Sequence, residues 1–128
     1  MGCIYAGFDY KNRVNGYFKI GESGKPTPAQ RLQQIRRTDC FQCLAYLLLK
    51  NDSKAERLFV ESYVRMKLEQ SFAELTHVQN DHFTYQIERK QKYEQAQQFA
   101  DMAIAFAQEA CQVANIQCEV GTRKYKRG

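Results

Sequence analysis

Gly2-Cys3-Ile4-Tyr5-Ala6-Gly7-Phe8 alternates in character: Ile4, Ala6 and Phe8 fall on one side, Cys3, Tyr5 and Gly7 on the other. That two-residue period is the mark of a β-strand. Tyr17-Phe18-Lys19-Ile20-Gly21 repeats it, with Phe18 and Ile20 set against Tyr17, Lys19 and Gly21. Residues 9–16 between them are polar and close on Asn15-Gly16, so the two segments read as a β-hairpin. If the apolar sets share one buried face, Tyr5, Tyr17 and Lys19 share the other. This clustering follows from alternation alone.

Working outward, residues 21–27 form a loop interrupted by Gly24 and Pro26. Thr27-Pro28-Ala29-Gln30 then has the signature of a helix start: Thr27 as the cap, Pro28 at the first helical position and Gln30 closing a capping box. Leu32 and Ile35 give that helix its apolar seam, and Arg31 borders it. Residues 41–49 are almost continuously apolar, as in a strand covered on both faces. A second helix starts at the Ser53–Glu56 capping box and runs to about residue 69, with Leu58, Phe59, Met66 and Leu68 among its buried candidates. Residues 81–85 read as a short strand. Residues 88–117 form an amphipathic helix carrying Tyr93, Phe99, Ala103, Phe106 and Ala110 at helical spacing. The expected class is α+β: a small, three-stranded, mainly antiparallel sheet flanked by helices, plus a long C-terminal helix. Residues 1–87 are expected to form the core, 88–118 a helix packed on it, and 119–128 a basic tail.

At 128 residues the chain reads as one domain able to bury a core without staples. It has no apolar run long enough to span a bilayer and no secretory signal, so no membrane partner is expected. The five cysteines are odd in number and scattered over predicted strands and helices. Reduced thiols in a cytoplasmic protein are therefore expected rather than a disulfide framework. Net charge is +5, from 19 basic and 14 acidic residues, which favours a polyanionic partner. Arg31, Arg36 and Arg37 share one predicted helix. Arg123, Lys124, Lys126 and Arg127 crowd the last residues around Tyr125, a basic and aromatic texture suited to nucleic acid.

A tyrosine on strand one, an Ile-Gly on strand two, an arginine on the following helix and a glutamate on a later helix occur here in order as Tyr5, Ile20-Gly21, Arg31 and Glu61. That order resembles the GIY-YIG nuclease superfamily. Lys19, standing where the family usually has its second tyrosine, makes the motif K-I-G and resembles a phage- and mobile-element-associated branch. Asp81-His82-Phe83 resembles the closing signature of the same branch. The resemblance implies a metal-dependent endonuclease acting on DNA. Tyr5, with Lys19 or Tyr17, would handle the proton of the attacking water, and Arg31 would stabilise phosphate charge. Glu61 would hold Mg²⁺ or Mn²⁺, and Gly21 would let the chain turn away from the strand. Glu61 is preferred over Glu56 because the capping box already accounts for Glu56, whereas Glu61 lies on a partly apolar helical face with Leu58, Val64 and Leu68. Arg36, Arg37, Arg123, Lys124, Lys126 and Arg127 would add DNA affinity. A lone site nicks one strand unless the chain forms a homodimer.

Other readings compete. Cys40 and Cys43 form a C-x-x-C pair with His77 and His82 downstream, the elements of a zinc module, although the gap between the pairs is long. Cysteine in place of the first motif's glycine, and lysine in place of the second tyrosine, suit a non-catalytic nucleic-acid binder of the same fold. The long C-terminal helix also admits an assembly role.

Overall fold

The computed structural model describes residues 2–9, 16–25, 41–50, 52–72, 76–79, 82–85 and 92–121. Among the described residues the chain is α+β, with six strands rather than three. Strands β1 (Gly2–Asp9), β2 (Gly16–Ser23) and β3 (Phe41–Lys50) are long, whereas β4 (Thr76–Gln79), β5 (His82–Tyr85) and β6 (Gln117–Val120) are short. They form one sheet in the order β4-β5-β2-β1-β3-β6, and every neighbouring pair is antiparallel. β5 falls within residues 81–85, read as extended from the sequence, whereas β4 and β6, four residues each, are too short for a pattern of alternation to reveal them.

β1 lies at the centre because it can be buried on both sides. Its register with β2 pairs Ala6 with Ile20 and Tyr5 with Gly21. Its register with β3 pairs Ile4 with Leu47 and Tyr5 with Tyr46. A bulge interrupts the β1–β3 ladder between Ala6 and Gly7. The extra β3 residue changes the phase of the strand, so Leu44 joins Leu47 and Leu49 in one core while Cys43 and Tyr46 face the other way. This is why residues 41–49 read as unbroken apolar sequence.

Two helices cover one face, α1 (Lys54–Ser71) and α2 (Lys92–Ala114). α1 starts as its sequence dictates. The Ser53 hydroxyl accepts from the Glu56 N–H at 3.2 Å, and the Glu56 carboxylate accepts from the Ser53 N–H at 2.9 Å. Its buried row is Val60, Val64 and Leu68. Leu58, Phe59 and Met66, expected inside, are instead 44 %, 42 % and 43 % exposed. α1 carries two apolar rows on opposite sides, and periodicity cannot say which one meets the sheet.

α2 buries Phe99, Ala103 and Ala110 as its spacing predicts and Ala107 with them, while Phe106 is half-buried. Phe99 stacks edge-on against Phe18 of β2 and against Phe72 at the end of α1, with centroids 5.9 and 5.0 Å apart. The helix ends at Ala114, short of the expected residue 118. Asn115 adopts φ 56°, the Ile116 N–H donates to the Cys111 carbonyl at 2.8 Å, and Ile116 turns into the core. This is a Schellman stop built on asparagine. Residues 117–120, expected as helix end and basic tail, form β6 on β3 instead, with Gly121 N–H donating to the Tyr46 carbonyl at 2.9 Å.

Candidate functional site

Alternation does place Tyr5, Lys19 and Gly21 on one face, opposite the helices. Ile4, Ala6, Phe18 and Ile20 pack with α1 and α2, whereas Cys3, Tyr5, Cys43 and Tyr46 form a separate cluster. This second face is not open. Tyr5 is 1 % exposed and Lys19 6 %. The Tyr5 ring lies flat over Gly21, its cross-strand partner. A Cβ on residue 21 would sit 2.5 Å from both Tyr5 Cζ and the phenolic oxygen. Among the described residues no glycine has positive φ, so Gly21 is required by the ring above it rather than by a turn.

Lys19 pairs in register with Gly7 on one side and His82 on the other, diagonal to Tyr5. It is the one charged residue in the buried set, and among the described residues it makes no hydrogen bond or ion pair. Tyr17 occupies the same parity in β2, opposite Asp9 and Thr84, but its side chain is outside the described set.

Glu61 belongs to the helical layer on the other side of the sheet. Its side chain is 12 % exposed, and a long ion pair of 3.9 Å joins it to Arg65 one turn on. The direction of α1 follows from two contacts. Arg57 reaches Glu22 near the end of β2, and Phe72 lies by Phe99 and hence by Phe18 near its start. α1 therefore runs antiparallel to β2. The β2–β5 pairing stops at Lys19, where β2 loses its outer neighbour. The structure brings Tyr5, Lys19 and Gly21 together on one face and puts Glu61 in the opposite layer.

An ionic brace at this end of the sheet left no mark in the sequence. Arg57 donates to Asp52 at 2.7 Å and to Glu22 at 2.9 Å, and the Gly2 N–H donates to Asp52 at 2.9 Å. The Asp52 side chain is fully buried. Burial pushes its carboxyl up, but the hydrogen bond and charge of Arg57 outweigh that and hold it below the usual range. Gly2 is small because Arg57 Cδ and Asp52 Oδ2 would lie 2.6 and 2.7 Å from a Cβ there. Only the fold brings residues 2, 22, 52 and 57 together.

The described cysteines, Cys3, Cys43, Cys111 and Cys118, are free thiols. Burial pushes Cys3, Cys43 and Cys111 up to about 12. The Cys43 thiol donates to the Ala45 carbonyl at 3.5 Å. Cys40 and the side chains of His77 and His82 lie outside the described residues. So do Arg31, Arg36, Arg37, Asp81, Arg123, Lys124, Lys126 and Arg127, with the helix expected from Thr27.

Comparison of the chain with protein-family models, with characterised proteins and with solved structures finds no match. Among the described residues, no helix is long and apolar enough to cross a membrane.

Proposed function

We propose that this chain is a metal-dependent endonuclease that hydrolyses DNA phosphodiester bonds around the Tyr5 face of the sheet. The observation that carries this reading is the placement of Lys19, a lysine buried in the sheet diagonally across the β1–β2 ladder from a phenol packed on Gly21. A phosphate oxygen is the anion that a lysine there binds, and the +5 charge of the chain attracts a polyphosphate. Lys19 binds the phosphate and favours the phenolate form of Tyr5, which takes the proton from the attacking water. Arg31 adds a guanidinium to the same phosphate.

Among the described residues no cluster of three or more His, Cys, Asp or Glu could cage a metal. Glu61 is a single carboxylate, partly buried, in the helical layer across the sheet from Tyr5 and Lys19, so an ion it held would reach a phosphate on the Tyr5 face only around the sheet edge where β2 loses its outer neighbour. That donor set suits an ion shared with substrate oxygens, as Mg²⁺ or Mn²⁺ is commonly held. When bound, the ion supplies Lewis-acid stabilisation of the phosphate and of the leaving oxygen. A second reading, binding of nucleic acid without cleavage, is favoured by the burial of Tyr5, which keeps its hydroxyl from bulk water.

Supercoiled plasmid with Mg²⁺ or Mn²⁺ separates the two readings. The parent is expected to nick it, chelator to stop it, and Glu61→Ala, Arg31→Ala and Lys19→Met to lower the rate at least about 100-fold. No nicking, together with a salt-sensitive mobility shift that survives chelator, would replace the nuclease by the binding-only protein. A folded Glu61→Ala protein that cuts at the parent rate would remove Glu61 from the site.

A further inference from the structure

Two thiols meet where α2 gives way to β6. Cys111 lies on the buried side of α2 beside Ala107 and Ala110, and is itself fully buried. Cys118, in β6, pairs in register with Leu49. Leu49 belongs to the core beneath the helices, and Cys118 packs against that same core. The helix thus turns one sulfur towards the sheet, and β6 turns the other towards the helix. Asn115 makes the close return possible. Its left-handed backbone ends α2, and the Ile116 N–H donates to the Cys111 carbonyl at 2.8 Å. The two thiols are hydrogen-bonded to one another.

The other described cysteines are not placed in this way. Cys3 and Cys43 lie on the opposite face of the sheet. Cys43 pairs with Gly7, which lies about 13 Å along β1 from Cys3 at the rise of an extended strand. A disulfide needs Cα atoms within about 7 Å of each other. Among the described residues, Cys111 and Cys118 are the pair within reach.

From this placement we infer that Cys111 and Cys118 form a reversible disulfide across the α2–β6 turn, made at the expense of a small-molecule disulfide. Thiols already in hydrogen-bond contact reach bonding distance by side-chain rotation, without movement of the backbone. Half-buried Cys118 is the sulfur that meets the reagent. It forms a mixed disulfide with one half of the small molecule and releases the other half as a thiol. Cys111 is out of solvent and, pushed up to about 12 by burial, stays protonated until that point. Its sulfur then attacks the Cys118 sulfur and expels the second half as a thiolate, which takes the Cys111 proton. Two protein thiols become one disulfide, and one small disulfide becomes two thiols. A small dithiol runs the exchange backwards.

The bond acts on an edge. β6 is the last strand of the sheet on its side, four residues long and paired with β3. Joining Cys118 to Cys111 ties that strand to the last turn of α2 and closes residues 111–118 into a ring that the unfolded chain must also carry. The inference does not depend on whether the chain cuts DNA.

Incubation of the full chain with oxidised glutathione, followed by alkylation and tryptic mapping, tests it. The peptide of residues 93–123 carries both sulfurs and no other cysteine. In the parent it should escape alkylation and lose two hydrogens, and dithiothreitol should return both thiols. The oxidised chain should melt about 5–10 °C above the reduced one. Cys118→Ser should show neither change. Cys111→Ala should hold glutathione on Cys118 as a lasting mixed disulfide, because the sulfur that displaces it is gone. A parent that keeps both thiols open to alkylation overturns the inference, and so does one that comes to rest as the mixed disulfide at Cys118. A linked peptide with an unchanged melting temperature would overturn the tie between β6 and α2.

Discussion

Gly21→Ala places one methyl group where the Tyr5 ring already lies, and its cost can be worked from the geometry. The added Cβ would be 2.5 Å from Cζ and from the phenolic oxygen, and 2.9 Å from Cε2. Ordinary carbon contacts begin near 3.5 Å, so the ring must move by roughly an ångström. It has nowhere free to go, because Tyr5 is 1 % exposed and sits between Gly21 and Tyr46 across the strands. Overpacking of this kind costs about 1–3 kcal/mol. Replacing a strand glycine by alanine returns about 0.5–1 kcal/mol, because the unfolded chain loses freedom. The balance is a destabilisation of about 1–2 kcal/mol, or about 4–8 °C in Tm for a domain of this size. Urea unfolding measures it, in the parent background and again with Tyr5→Ala. In the second background the methyl group enters space the ring has left, so Gly21→Ala should become neutral or stabilising. An equal cost in both backgrounds would refute the ring as the reason for the glycine. A stabilised single variant would refute the close approach itself.

The ionic brace and the thiols give two further tests. Arg57→Met strands the buried Asp52 carboxylate and should cost about 3 kcal/mol by chemical denaturation, whereas Asp52→Asn with Arg57→Met should recover part of that loss. Because Asp52 titrates lower in the folded chain than in the unfolded one, its contribution is fully present above the ordinary carboxylate range, near pH 4, and is lost as pH falls through the lower folded value. Acid unfolding of Asp52→Asn should therefore begin from a lower plateau and show a shallower pH slope; an unchanged slope would exclude Asp52 as an acid-sensitive group. With their thiols pushed up to about 12 and out of solvent, Cys3, Cys43 and Cys111 should react with a thiol reagent at pH 8 only after unfolding, while half-buried Cys118 reacts in the native chain. Rapid native labelling of Cys3 or Cys43 would contradict the closed second face.

Much of the framework was legible because it is local. The β1 and β2 alternation set the two faces of the hairpin, and the Ser53–Glu56 capping box started α1 where it begins. The aliphatic and small residues from Phe99 to Ala110 fixed the buried side of α2. The phase of α1 was not legible. Its two apolar rows have the same period, and only the shape of the sheet beneath chose Val60, Val64 and Leu68 over Leu58, Phe59 and Met66. β6 was hidden because Gln117-Cys118-Glu119-Val120 carries little strand character of its own and is strand by virtue of its ladder to β3.

The candidate site divides in the same way. Sequence alone put Tyr5, Lys19 and Gly21 on one face, since a two-residue period leaves a paired strand no other choice once its apolar face is buried. It could not show that this face is closed, that Lys19 is buried there, or that Gly21 is small to admit a ring. It also gave no hint of the Asp52–Arg57–Glu22 brace. Those features depend on residues far apart in the chain, and no local pattern encodes a distance between layers. Periodicity determines which way a side chain faces; only packing determines what it meets there.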